Sequence, residues 1–188
     1  CTKGILLDDG KIAYRGDIGS TVACYLKDQI RQTKFTDGEG DRNVLFLEKA
    51  QVTSTDGDVF YNSSEIFITF EVTIGKSVNS LVIGFNLVSS FQHPLARADY
   101  NDRESVNTLA PGKYQFLFRI PSFTLSDGEY TIRFDIAERN VKNYATEKSY
   151  LSFNVVQDSN CFGNRFSENI DIKSSIIRED WLVEYKRI

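Results

Sequence analysis

Ile66-Phe67-Ile68-Thr69-Phe70-Glu71-Val72-Thr73-Ile74 places an apolar residue at every even position, with Thr or Glu at three of the four positions between. Successive side chains of an extended strand point to opposite faces, so a period of two marks a strand with one face toward a core. The same period recurs downstream. Leu81, Ile83, Phe85 and Leu87 alternate with Val82, Gly84, Asn86 and Val88. Tyr114, Phe116, Phe118 and Ile120 form a third set, Tyr130, Ile132, Phe134 and Ile136 a fourth, and Leu151, Phe153 and Val155 a fifth. A further strand is expected within Val44–Thr55 and a short one within Leu95–Tyr100. Turn-forming groups separate them, at Thr55-Asp56-Gly57-Asp58, Ala110-Pro111-Gly112-Lys113 and Ser126-Asp127-Gly128-Glu129.

Short alternating strands with no helical period between them predict an all-β fold. The preferred architecture is two antiparallel sheets packed face to face, an immunoglobulin-like β-sandwich, with a barrel as the rival. Tyr114 and Tyr130 each follow a turn glycine and open a strand, so their rings are expected in the core with the hydroxyl reaching a loop carbonyl. Aromatics at 13%, mostly 14 Phe and 9 Tyr, agree with a β-rich chain. A compact domain of 188 residues buries about 70% of its unfolded surface and needs no disulfide or metal to hold together.

Upstream the pattern differs. Gly4–Leu7 and Lys11–Tyr14 flank Asp8-Asp9-Gly10 as a hairpin. Asp17 is an N-cap candidate for a helix whose apolar stripe is Ile18, Val22, Tyr25, Leu26 and Ile30. The polar stretch holding Asp37-Gly38-Glu39-Gly40-Asp41 reads as a linker. The expected division is thus a tail over 1–34, a linker over 35–43 and a sandwich over 44–188. Trp181, Val183 and Tyr185 alternate late in the chain, predicting a strand around 176–186 that can pair within its own subunit or exchange with a neighbour.

A net charge of −4 and a pI near 5.1 argue against general nucleic-acid binding, which needs a basic face. No run approaches the length of a membrane span. Cys1, Cys24 and Cys161 are too far apart for a metal knuckle or a disulfide framework, which fits a reducing compartment. His93 is the only histidine, in the loop Ser89-Ser90-Phe91-Gln92-His93-Pro94, and nothing resembles a nucleophile elbow. Asp135 and Glu138 could serve a glycosidase only if two carboxylates converged about 5–10 Å apart, which alternation alone does not provide. The acids do not cluster like a calcium loop. No catalytic residue, metal or cofactor is expected.

Gly4-Ile5-Leu6-Leu7-Asp8-Asp9-Gly10-Lys11-Ile12, then Gly16-Asp17 and Cys24-Tyr25-Leu26, resembles the final turn and helix of an ABC-transporter nucleotide-binding domain. Leu109-Ala110-Pro111-Gly112-Lys113-Tyr114 and Leu125-Ser126-Asp127-Gly128-Glu129-Tyr130, with the late Trp181 strand, resemble the C-terminal extension of ATPases that export O-antigen polysaccharide across the inner membrane of Gram-negative bacteria. The resemblance implies a non-catalytic carbohydrate-binding module that recognises the exported glycan, often at its modified non-reducing end. It also implies a homodimer, a transmembrane partner subunit and a cytoplasmic place at the inner membrane. The rival is a structural dimerisation or docking module that binds no glycan. The chain has no G-x-x-x-x-G-K-[ST] phosphate loop, so ATP hydrolysis is expected of a catalytic half upstream.

In an immunoglobulin-like order the strands at 81–88, 129–137 and 149–156 are neighbours. With their apolar sets turned inward, Asn86, Thr131, Arg133, Asp135, Tyr150, Ser152 and Asn154 share the outer face. Such a surface suits a sugar, whose hydroxyls both donate and accept and whose C–H faces pack on an aromatic ring. Phe91, near a loop tip, is a second-tier contact. The bland alternative is a solvated sheet face whose Arg133 and Asp135 balance each other.

Overall fold

The structure, a computed structural model, describes residues 2–8, 10–18, 20, 21, 24, 32–90, 92–102, 108–145 and 148–158. The helix expected over 17–31 falls largely outside them, as do Phe91 and the strand around 176–186. At the start of that helix, Asp17 Oδ1 accepts the Ser20 N–H at 2.9 Å, the bond an N-cap residue makes.

The chain opens with β1 (Lys3–Asp8) and β2 (Lys11–Asp17), which form a two-stranded antiparallel sheet as the hairpin pattern predicts. Two very short strands follow, β3 (Lys34–Phe35) and β4 (Glu39–Asp41), then β5 (Leu45–Ser54), β6 (Phe60–Tyr61) and β7 (Ile66–Ile74). The second half holds β8 (Leu81–Ser89), β9 (Pro94–Asp99), β10 (Gly112–Ile120), β11 (Gly128–Glu138), β12 (Lys142–Asn143) and β13 (Tyr150–Val156). All seven strands expected between Val44 and Val155 are present.

They assemble as two sheets, one ordered β10-β7-β5-β3 with β4 on β5, the other β6-β13-β11-β8-β9 with β12 on β11. Each order ends in two edges, which answers the barrel alternative in favour of an all-β sandwich. Pairing is antiparallel except between β6 and β13, which run parallel. At the expected boundary of tail and linker Lys34–Phe35 pairs with β5, as does Glu39–Asp41 within the stretch read as a linker, and Phe35 is buried. A single apolar residue and a few edge hydrogen bonds suffice to hold such short pieces on a sheet that already exists.

The inward sets meet as expected. Ile66, Ile68, Phe70, Val72 and Ile74 are all at most 2% exposed, as are Ile83, Ile132, Ile136, Leu151 and Phe153. Phe70 stacks on Phe116 at 5.3 Å and Phe118 at 5.8 Å within its own sheet, and meets Phe134 of the opposite sheet edge-on at 5.1 Å. Phe85 and Phe118 make a second bridge between the sheets at 5.1 Å. On β5 the buried positions are Leu45, Leu47, Ala50 and Val52, so the alternation changes phase between Leu47 and Lys49, where the register shifts as a β-bulge. That slip obscures the strand's limits in the sequence.

Both turn tyrosines bond back by four residues. Tyr114 Oη donates to the Ala110 carbonyl and Tyr130 Oη to the Ser126 carbonyl, each at 2.9 Å. Tyr130 is 2% exposed, its ring lies 5.9 Å from that of Phe153, and burial pushes its phenol above the ordinary range. Tyr130→Phe keeps the ring and removes the bond, so chemical denaturation should show a loss of about 1–2 kcal/mol. Phe70→Ala removes the ring that spans the sheets and should cost about 3–5 kcal/mol by the same measurement.

Candidate functional site

β11 lies between β13 and β8, and β9 continues the sheet beyond β8, so the neighbour relation expected from the sequence holds. Register then decides which outward side chains stand side by side. Arg133 pairs with Tyr150 on one side and Asn86 on the other, and Asn86 pairs with Arg97. Tyr150, Arg133, Asn86 and Arg97 therefore form one row across four strands. Directly opposed side chains on one face of an antiparallel pair stand about 5 Å apart at Cβ, within reach of a common ligand.

The other expected residues flank this row. Thr131 pairs with Ser152, and Asn154 with Glu129, one and two steps along the same face. Arg133 is exposed, while Asn86, Thr131, Asp135, Tyr150 and Asn154 are half-buried. Ser152 is 6% exposed and its Oγ has no hydrogen-bond partner among the described residues. The Gln32 carbonyl accepts the Ser152 N–H at 3.0 Å, an isolated antiparallel bridge along the edge of β13, and Ser152 itself is buried where an open face was expected. His93 is exposed in the β8–β9 turn, as its loop setting predicts.

The charge pairing differs from simple balance between Arg133 and Asp135. Asp135 Oδ2 instead meets Arg97 Nη1 at 2.7 Å, and Arg97 also grips Asp99 through Nε–Oδ2 at 2.6 Å and Nη2–Oδ1 at 2.8 Å. Asp99 and then Asp135 hold this guanidinium charged beyond its ordinary range. Gly84 lies between the two acids, pairing with Asp135 on β11 and Asp99 on β9. A Cβ at Gly84 would stand 2.6 Å from Asp99 Oδ1 and 2.2 Å from the Ala98 carbonyl oxygen, so only glycine fits this close approach. Arg133 Nη2 donates to Gln92 Oε1.

Beside Arg97 and Asp135 the face sinks into an open depression of about 440 Å³, walled by Val82, Asn140, Lys142 and Asn143. The surface as a whole offers guanidinium, carboxylate, amide, hydroxyl and phenol groups on a rigid sheet. Among the described residues no group of three or more His, Cys, Asp or Glu side chains could hold a metal. No described helix is long and apolar enough to cross a membrane. Arg97, Asp99 and Gly84 escaped the sequence reading. The Arg-x-Asp spacing on β9 was a signal, since residues two apart share a face, but nothing in it told that β9 extends this sheet.

No protein-family model matches the chain, and no curated protein matches it in sequence. Among solved structures it is similar to the crystal structure of the C-terminal domain of wzt, with a TM-score of 0.50 and 11% sequence identity, covering 84% of this chain and 89% of that one. Nearly the whole of each chain is superposed while almost none of the sequence is shared. The likeness is one of fold, an all-β sandwich carried by different residues.

Proposed function

We propose that this chain is a non-catalytic carbohydrate-recognition module that takes a polysaccharide on the outer face of the β13-β11-β8-β9 sheet. The observation that carries the reading is the row Tyr150, Arg133, Asn86 and Arg97, with Asp135 and Thr131 beside it. An aromatic ring, a guanidinium and an amide in register suit the stacked C–H face and the planar hydroxyl pairs of a sugar. The open depression next to Arg97 gives room for a further sugar unit. The site is shallow, so most of a bound chain stays solvated and affinity for any one unit is modest.

The resemblance of the sequence to the extension on O-antigen-exporting ATPases, and the fold likeness to the C-terminal domain of wzt, support the setting. In that setting the module selects the exported O-antigen glycan, by its modified non-reducing end, for an ABC exporter. It works as a homodimer on the cytoplasmic side of the inner membrane, attached through the transporter's transmembrane subunit. One observation favours the docking alternative. Ile5, Leu7 and Ile12 of the β1–β2 hairpin are 55%, 62% and 62% exposed, an apolar group suited to a protein partner.

Titration calorimetry against a panel of bacterial O-polysaccharides, intact and trimmed at the non-reducing end, separates the two. Binding that disappears on trimming supports recognition of the chain end, and binding to none of the panel favours docking. Arg133→Ala should weaken binding about tenfold with an unchanged melting temperature, because the side chain is exposed. Unchanged affinity in that variant would move the site off this face.

A further inference from the structure

Resting on the homodimer of the proposed reading, we infer that the outer edge of β10 is a self-pairing surface, on which a second copy of this chain lays its own β10 antiparallel, centred on Leu117. Each sheet order ends in two edges, so β3, β6, β9 and β10 each have one side without a neighbouring strand. Such an edge offers N–H and C=O groups to any other strand, and proteins guard it by short length, bulges, proline or free charge. β3 and β6 are two residues long. β9 has six residues, starts at Pro94, and its register to β8 slips between Leu87 and Val88. β10 lacks these guards. Its nine residues pair with β7 without a register shift, and Pro111 and Pro121 lie just outside it. Among the described residues no backbone hydrogen bond reaches its other side.

Charge does not guard the edge either. Lys113 Nζ reaches Glu71 at 2.7 Å and Arg119 Nη1 reaches Glu65 at 2.9 Å, so both cations of β10 are drawn toward β7 and neutralised there. Leu117 stands between them and is 67% exposed. The inward side of the strand is open as well. Tyr114, Phe116, Phe118 and Ile120 are half-buried, whereas Val72, Phe70, Ile68 and Ile66 opposite them on β7 are at most 2% exposed. A further strand beside β10 would complete the burial of this largely aromatic row.

Self-complementarity selects a second copy as that strand. A two-fold axis normal to the sheet sets two copies of one edge antiparallel and keeps outer face with outer face. Centring the axis on Phe116 would oppose Lys113 and Arg119, cation to cation. Centring it on Gln115 would set Lys113 against the exposed Leu117. With the axis on Leu117, that leucine meets its own copy, Gln115 meets Arg119, Phe116 meets Phe118 and Tyr114 meets Ile120. The exposed leucines then cover each other, aromatic rings meet across the junction, and no like charges are opposed. The two β10-β7-β5-β3 sheets become one continuous sheet. An overlap of about seven residues is small beside a standard interface of roughly 800 Å² per partner, so dissociation should fall near the micromolar range.

Sedimentation equilibrium of the 188-residue chain should show a reversible dimer, and hydrogen exchange of the β10 amides should slow as the dimer fills. Leu117→Lys brings two ammonium groups together at the axis and should weaken the dimer by about tenfold or more. Its melting temperature, measured where both proteins are monomeric, should be unchanged because the side chain is exposed. In a background of Cys1→Ser, Cys24→Ser and Cys161→Ser, mild oxidation should link Leu117→Cys as a disulfide dimer. Gln115→Cys, which faces Arg119 of the partner subunit, should link far more slowly. A dimer of unchanged affinity in Leu117→Lys overturns the inference and leaves the homodimer standing, as does equal cross-linking of the two cysteine variants. A monomer at every concentration overturns both, and slow β10 exchange in that monomer assigns the edge to a strand of the same chain, such as the one expected around 176–186. Glycan recognition is decided separately, by the polysaccharide panel.

Discussion

Everything on the surface of this protein depends on one contact between its sheets, the edge-on packing of Phe70 against Phe134. Phe70 gathers Phe116 and Phe118 of its own sheet, and Phe118 in turn meets Phe85 across the gap. Aromatic pairs in such geometries add to the area they bury, and rings of this size leave little freedom in how two sheets approach. Once Phe134 is committed to the interior, alternation along β11 leaves Arg133 and Asp135 no choice of face. A slip of one residue would bury both charges and expose Ile132, Phe134 and Ile136.

The same constraint explains why the candidate site is a flat row with a depression at one end. The central strand β11 pairs along almost its whole length with β8 and over its first half with β13, so the outward side chains are held at fixed spacing. A surface of this kind selects by the order of its chemical groups more than by enclosure. The Gly84 notch modulates that order. By leaving out a side chain it lets Arg97 and Asp99 lie close over the sheet, and Arg97 then draws Asp135 away from Arg133. One missing Cβ on β8 thus decides which arginine of the face is neutralised.

The two sheets treat charge differently. On the outer face of β10-β7-β5, Glu71 sits between Lys49 at 3.1 Å and Lys113 at 2.7 Å, and those ammonium groups hold its carboxyl below the usual range. Arg42 pairs with Glu48 at 2.8 Å beside it. Those groups make a compensated surface. Among the described residues the opposite sheet keeps Arg133 with only an amide partner and Lys142 over the Tyr144 ring at 5.1 Å, with polar groups of several kinds beside Arg133. That asymmetry gives a physical reason to look for a ligand on β13-β11-β8-β9.

The sequence by itself determined the fold class and the membership of each face. Period-two alternation named the long strands, glycine-bearing turns separated them, and Tyr114 and Tyr130 announced their bonds to loop carbonyls, because all of these are local properties of the chain. It did not reveal β3, β4, β6 or β12, which are two or three residues long and exist only because a neighbouring strand offers them hydrogen bonds. It placed Arg133 and Asp135 on one surface but could not say that Asp135 would turn to Arg97, or that Gly84 leaves room for it. Those partnerships join residues 38 positions apart or on strands that meet only through the sheet order. Alternation fixes which way a side chain points, and only the assembled sheet fixes what it points at.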